Sequence, residues 1–106
     1  MENRRQHYRI SYPATARPRF VSGTSISEVI ECSERGLRVM PTGDAPEPGE
    51  QLTGRLSLCH GVQVSVAGTV IWSDDGNVAI HLDVTPIPFL AVIREQLYLR
   101  KLARHS

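Results

Sequence analysis

An all-β domain, a small six-stranded antiparallel β-barrel with a C-terminal α-helix, is the fold that this 106-residue sequence predicts. Three observations carry it. The length suits one apolar core and is too short for two ordinary ones. Most of the chain divides into short runs of alternating polarity separated by turn residues. The alternation then gives way, after Thr85, to helical spacing. With 41% hydrophobic and 22% charged residues, the composition is that of a globular domain, neither a disordered segment nor a membrane protein.

The elements follow in order. Ala14 to Val21 is the first predicted strand, and Pro13 and Pro18 place it at an edge or a bulge. Ile26 to Cys32 and Leu37 to Met40 are the next two, bounded by the turns Ser22-Gly23-Thr24 and Ser33-Glu34-Arg35-Gly36. Pro41 to Gly49 holds three Pro and two Gly without periodicity and is a loop. Leu52, Leu56 and Leu58 mark a strand that turns at His60-Gly61 into the longest one, where Val62, Val64, Val66, Val70 and Trp72 share one parity. That parity assigns Trp72 to the core. Gly68 interrupts the run and predicts a bulge or bend. Asp74-Asp75-Gly76-Asn77 is a turn, and Val78, Ile80, Leu82 and Val84 form the last strand.

From Phe89 to Ala103 the apolar positions fit a helix, with Thr85 as its cap, a Pro in the first turn and Phe89 in the core. Arg100, Lys101 and Arg104 fall at its C-terminal end, where the helix dipole favours cations. A single domain over 1–106 is therefore expected, with an Arg-rich segment over 1–12, the barrel over 13–85 and the helix over 86–104.

The charge distribution is uneven. Net charge is +1, yet eleven of the twelve cationic residues are Arg, the fork-shaped side chain suited to phosphate, carboxylate and base edges. Residues 1–20 carry five Arg against one acid, Glu2, so the basic charge is focused on a near-neutral body. Such focusing points to a local anion site and away from the broad basic face of a duplex binder. A single-stranded nucleic-acid barrel would need aromatic platforms interleaved with cations, and only six aromatics exist. No nucleic-acid partner and no membrane insertion are expected: the polar N-terminus lacks a signal-peptide core, and a cytoplasmic location follows.

Catalysis finds no support in the motifs. Cys32 and Cys59 lack the paired spacing of a disulfide framework or zinc site, and the four His form no metal-binding pair. They are expected to be buried thiols and surface imidazoles. No nucleophile, base and orienting acid assemble from motif spacing, and no phosphate loop or dinucleotide fingerprint is present. No cofactor and no metal are expected.

Two segments remain beyond the needs of packing. Arg4-Arg5-Gln6-His7-Tyr8-Arg9 places a third Arg four positions after an Arg pair, ahead of the first strand. Glu31-Cys32-Ser33-Glu34-Arg35-Gly36 presents a carboxylate, a hydroxyl and a glycine at fixed offsets around a turn. Together they resemble the PilZ family, marked by an RRxxxR segment before the first barrel strand and a [D/N]xSxxG segment downstream. Arg4, Arg5 and Arg9 complete the first; Ser33 and Gly36 match the second, with Glu31 where the family has Asp or Asn. Gly36-Leu37-Arg38-Val39 and Val70-Ile71-Trp72 are also familiar in the family, and Ala79 stands where Gly is frequent.

The resemblance implies a cytoplasmic, non-enzymatic receptor for the bacterial second messenger cyclic di-GMP, bound singly or as a self-stacked pair and relaying its signal to an effector protein. Arg4, Arg5, Arg9, Glu31, Ser33 and Gly36 are the implied ligand-binding residues, with Asn3, Arg35 and Arg38 supporting. The chemistry agrees: Arg pairs with phosphate or with guanine O6 and N7, and a carboxylate accepts from guanine N1–H and N2–H. The plainer readings are a solvated Arg tail, a Glu31 facing solvent, and Ser33 and Gly36 as turn formers. The competing function is a PilZ-like module that acts through protein contacts without nucleotide.

Overall fold

Alternating side chains set the strands, and short polar turns set their antiparallel order. The computed structural model describes residues 9–104. Seven strands precede the helix: β1 (Ile10–Ser11), β2 (Arg19–Ser22), β3 (Ser25–Ser33), β4 (Gly36–Pro41), β5 (Gln51–Ser57), β6 (Gln63–Asp74) and β7 (Asn77–Thr85). All pairings are antiparallel. β3, β2, β5, β6, β7 and β4 follow one another, and β4 pairs back with β3, so six strands close a barrel. β1 is an extra strand laid on β3 beyond the end of β2, pairing Ile10 with Cys32 and Ser11 with Glu31.

The first predicted strand is corrected. Ala14 and Thr15 lie in a turn, closed by the Ala16 N–H donating to the Pro13 carbonyl at 3.1 Å, and pairing resumes only at Arg19. Pro13 and Pro18 cannot donate to a ladder, so the chain breaks between them into β1 and β2. The Pro18 carbonyl still accepts from Val29 N–H at 2.9 Å, which keeps the break flush with β3.

Two bulges shape the barrel. In β3, Val29 faces Val39 and Glu31 faces Arg38, leaving Ile30 as the extra residue. In β6, Val70 faces Ile80 and Trp72 faces Ala79, leaving Ile71 extra. Each bulge turns the end of its strand by one face. Trp72 is accordingly 43% exposed, against the core position that simple parity assigns it. The predicted irregularity at Gly68 is also present, as a register shift between Ala67 and Thr69. There the β7 backbone crosses so closely that a Cβ on Gly68 would stand 2.1 Å from the His81 carbonyl oxygen and 2.7 Å from Leu82 Cα.

Inside lie Phe20, Val29, Leu37, Val39, Leu56, Val66, Val70, Val78, Ile80 and Leu82, contributed by β2 through β7. The helix α1 (Phe89–Arg104) begins with the run of helical spacing at Phe89 and ends one residue beyond Ala103, and Pro88 rather than Thr85 starts it. Thr85 is the last residue of β7, and the Pro88 carbonyl accepts from Ala91 and Val92 N–H at 3.0 and 3.2 Å. Phe89, expected in the core, is exposed, and the helix buries Ala91, Val92 and Glu95 instead.

Glu95 is the unexpected group. Its carboxylate is fully buried and accepts four hydrogen bonds: at Oε2 from the Tyr12 hydroxyl (2.7 Å) and Cys59 N–H (2.9 Å), at Oε1 from His60 N–H (3.0 Å) and His60 Nδ1–H (2.6 Å). His60 is therefore no surface imidazole. Tyr12, whose hydroxyl hydrogen is directed at Glu95, accepts from the Cys32 thiol at 3.5 Å. Burial pushes the Tyr12 hydroxyl far above its ordinary range, and burial likewise raises Cys32 to about 11 and Cys59 to about 12. For Glu95, burial alone would raise the pKa, but the bonds from His60, Tyr12 and the two backbone amides outweigh it and hold the value below 4.5.

Two outcomes follow. Gly68→Ala should destabilise the fold by about 2 kcal/mol or more, measured as a fall in urea midpoint, because backbone rather than a mobile side chain must give way. Glu95 has a lower pKa folded than unfolded, so its stabilisation is complete above the unfolded value and is lost as pH falls through the folded one. Thermal midpoints should drop on acidification below ~4.5, and Glu95→Gln should flatten that acid limb while lowering stability at neutral pH.

Candidate functional site

Strand register brings the second sequence motif into line with residues far away in the chain. Ser11 of β1 faces Glu31 of β3, Glu31 faces Arg38 of β4, Arg38 faces Ala79 of β7, and Ala79 faces Trp72 of β6. Directly opposed residues share a face of the sheet, and this row lies on the outside of the barrel. Around it an open cleft of about 270 Å³ is lined by Arg9, Glu31, Ser33, Gly36, Arg38, Ile71, Trp72 and Ala79, with Cys32, Leu37 and Ile80 as its floor.

Of the residues singled out from sequence, the cleft gathers Arg9, Glu31, Ser33, Gly36 and Arg38. Arg35 is exposed and outside the cleft lining; its carbonyl accepts from Leu82 N–H at 2.8 Å, while the Glu34 carbonyl accepts from Ile87 N–H at 2.9 Å. The hairpin tip is thereby fixed to β7 and to the linker before α1. Asn3, Arg4 and Arg5 lie outside the described residues.

Glu31 is not left to solvent. Arg38 donates from Nη2 to its Oε2 at 2.9 Å, and both side chains are about one-third exposed. An ionised carboxylate has roughly four acceptor positions, so this contact leaves capacity on both oxygens for donors arriving from the cleft. Arg38 Nε is shielded from water and has no partner among the described residues. A cation thus sets the direction of the one carboxylate among the described residues that line the cleft.

Gly36 plays a different role from the one a tight turn would demand. Its φ is not in the left-handed region, and a Cβ there would meet only Ser33 Oγ at 3.4 Å and the Ile80 carbonyl at 3.9 Å, ordinary contacts. The hairpin does not require glycine. What the missing side chain leaves is open surface beside Ser33 and Arg38.

Trp72 is the lining residue that parity misassigned, and Ile71 and Ala79 line the cleft without having been among the expected site residues. Ala79 is small, so the indole of Trp72 and the Arg38–Glu31 pair stand on either side of a shallow floor. The signal was present: Ile71 is apolar on the polar parity, and one apolar residue too many in an alternating strand marks a bulge. In β3 the corresponding signal is the adjacent apolar pair Val29-Ile30, which puts an apolar residue on both parities. Among the described residues no group of three His, Cys, Asp or Glu side chains could hold a metal ion, and no helix is long and apolar enough to cross a membrane.

Residues 3–99 match the family model of the PilZ domain, more than nine-tenths of the chain. No curated protein matches the sequence.

Gly36→Ala should leave the urea midpoint within ~0.5 kcal/mol of the parent in stability, since the new methyl group meets only ordinary contacts. Trp72 is the sole tryptophan, so intrinsic emission reports on the cleft. The native spectrum should be that of a partly hydrated indole, readily quenched by acrylamide; a blue-shifted, protected emission would contradict the outward-facing bulge.

Proposed function

Because the chain belongs to the PilZ family, whose non-catalytic domains typically bind cyclic di-GMP, we propose that it is a cyclic di-GMP receptor that reads the ligand in the Glu31–Arg38–Trp72 cleft. The observation that supports this most is the convergence of Arg9 with Glu31, Ser33 and Gly36, more than twenty residues further along the chain, around one outward cleft. The ligand has two phosphates and two guanines, and the cleft offers groups suited to each.

Glu31, held by Arg38, accepts from guanine N1–H and N2–H. Ser33 bonds a phosphate or base heteroatom, and the absent Cβ of Gly36 lets the ligand approach the backbone. Trp72 provides a flat face on which a purine stacks. Arg4, Arg5 and Arg9 close over the ligand, gripping phosphate bidentately or the O6 and N7 edge of guanine. Asn3 next to the Arg pair influences whether one ligand or a stacked pair is held, and Arg35 adds positive potential at the rim.

Binding draws the N-terminal segment onto the cleft in the bacterial cytoplasm, and the change is passed to an effector protein. β1 is the route inward: Ile10 and Ser11 pair with Cys32 and Glu31, and the next residue, Tyr12, bonds Glu95 of α1. The ligand shifts the population toward the closed arrangement by as much as it prefers that arrangement.

Calorimetric titration with cyclic di-GMP tests the reading. Saturable heat is expected. Arg5→Ala and Glu31→Gln should each weaken binding by roughly tenfold to a hundredfold, the worth of a charged hydrogen bond of about 1.5–3 kcal/mol. Trp72→Ala should lose at least fivefold, matching ~1 kcal/mol of base stacking. Absence of heat at ~100 μM ligand, the equivalent of about −5.5 kcal/mol, would overturn the receptor reading in favour of a module acting through protein contacts alone.

A further inference from the structure

α1 has a second apolar side that the barrel does not use. Its buried side presents Ala91, Val92 and Glu95 to the core, with Leu99 packed beside them. At roughly 100° per residue, Leu90, Ile93 and Leu97 fall together in an outward sector about 60° wide. Leu90 and Leu97 are 55% and 51% exposed. Their spacing of three and then four residues is that of a coiled-coil seam, narrower than the broad stripe by which a helix packs on a domain.

Charge says what fits this seam. Arg94 and Lys101, seven residues apart, run along one flank, Arg100 lies on the other, and Arg104 continues the line of the seam itself in the final turn; all four are exposed. The helix's one acid, Glu95, is on the opposite side with both oxygens bonded inside the protein. The outward face is therefore apolar and cationic without a compensating carboxylate.

We propose that the Leu90–Ile93–Leu97 seam is a docking surface for an acidic amphipathic helix of a partner protein, one that presents apolar residues at heptad spacing flanked by Asp or Glu. A second copy of this chain does not satisfy it, because pairing two such seams brings cations together with no acid between them. A lipid surface is also a poor match: a helix lying in a bilayer interface buries a broad apolar face, whereas the other exposed apolar residues of α1, Phe89, Tyr98 and Leu102, are separated from the seam by Arg100 on one side and by Arg94 and Lys101 on the other. The Glu95 bonds fix the helix on the barrel, so the seam is presented with little loss of freedom on docking.

The test uses the full chain and a labelled synthetic peptide of ~21 residues with Leu at the core positions of each heptad and Glu at the flanking ones. Fluorescence anisotropy should show saturable binding that weakens at least tenfold between ~50 and ~500 mM salt. Leu90→Ser with Leu97→Ser, and separately Arg94→Glu with Lys101→Glu, should each cost tenfold or more. Circular dichroism and thermal midpoints of both variants should match the parent, as these side chains are outside the core. Any of four results would overturn the proposal: no saturable binding, equal binding of a peptide with Lys in place of Glu, binding unchanged in both variants, or co-sedimentation with phosphatidylglycerol vesicles without peptide binding. A dimer in sedimentation equilibrium that Leu97→Ser dissociates would assign the seam to self-association and overturn it equally.

Discussion

One buried carboxylate organises this molecule. Removing an ion from water costs several kcal/mol, and Glu95 is tolerated in the core only because four donors are already aimed at it. Those donors come from separate pieces of the chain: Tyr12 just after β1, and the Cys59–His60 turn between β5 and β6. The entry segment, a hairpin tip and the terminal helix thus meet at a single group. A helix displaced by one turn would leave the carboxylate buried and unpaired, so the network specifies the docking register of α1 as well as its stability.

The same arrangement links two surfaces. β1 is only two residues long, yet it borders the cleft through its pairing with Glu31 and Cys32 and borders the Glu95 network through Tyr12. A short edge strand is cheap to displace, because few ladder bonds hold it. Tension applied at Arg9 therefore reaches the helix anchor within three residues. The fixed part of the site is the β3–β4 hairpin tip, bolted by its Glu34 and Arg35 carbonyls to the linker beyond β7 and to β7 itself.

Much of this was legible in the sequence, and the parts that were not share a cause. β5 to β7, the long loop, the Gly68 irregularity and the helix all follow from local periodicity and turn chemistry. Simple parity puts Trp72 on the same face as Val70, and the extra Ile71 between them reverses that face. β1 is too short, at two residues, to show a period, and the break in the first strand comes from Pro residues that act through the absence of donors. Glu95 carried one faint signal, its helical spacing of three and four residues from Val92 and Leu99. Two of its partners are backbone amides, which no residue type announces. Of the site, Glu31, Ser33 and Gly36 are legible through the family resemblance of their segment; the pairing of Glu31 with Arg38 depends on register across β3 and β4, which only the fold supplies. The Arg excess also divides: Arg17 pairs with Glu28 at 3.1 Å and Arg38 with Glu31, so part of it serves the barrel.

The two bulges, at Ile30 and Ile71, sit on strands that border opposite walls of the cleft. What they place outward is decided by how many residues intervene, since a shift of one exchanges the two faces of a strand. Glu31 and Trp72 owe their outward position to a count of residues upstream in their strands, not to their own chemistry. The outward cleft of such a barrel can therefore be gained or erased by a single codon inserted or deleted, with every lining residue otherwise retained.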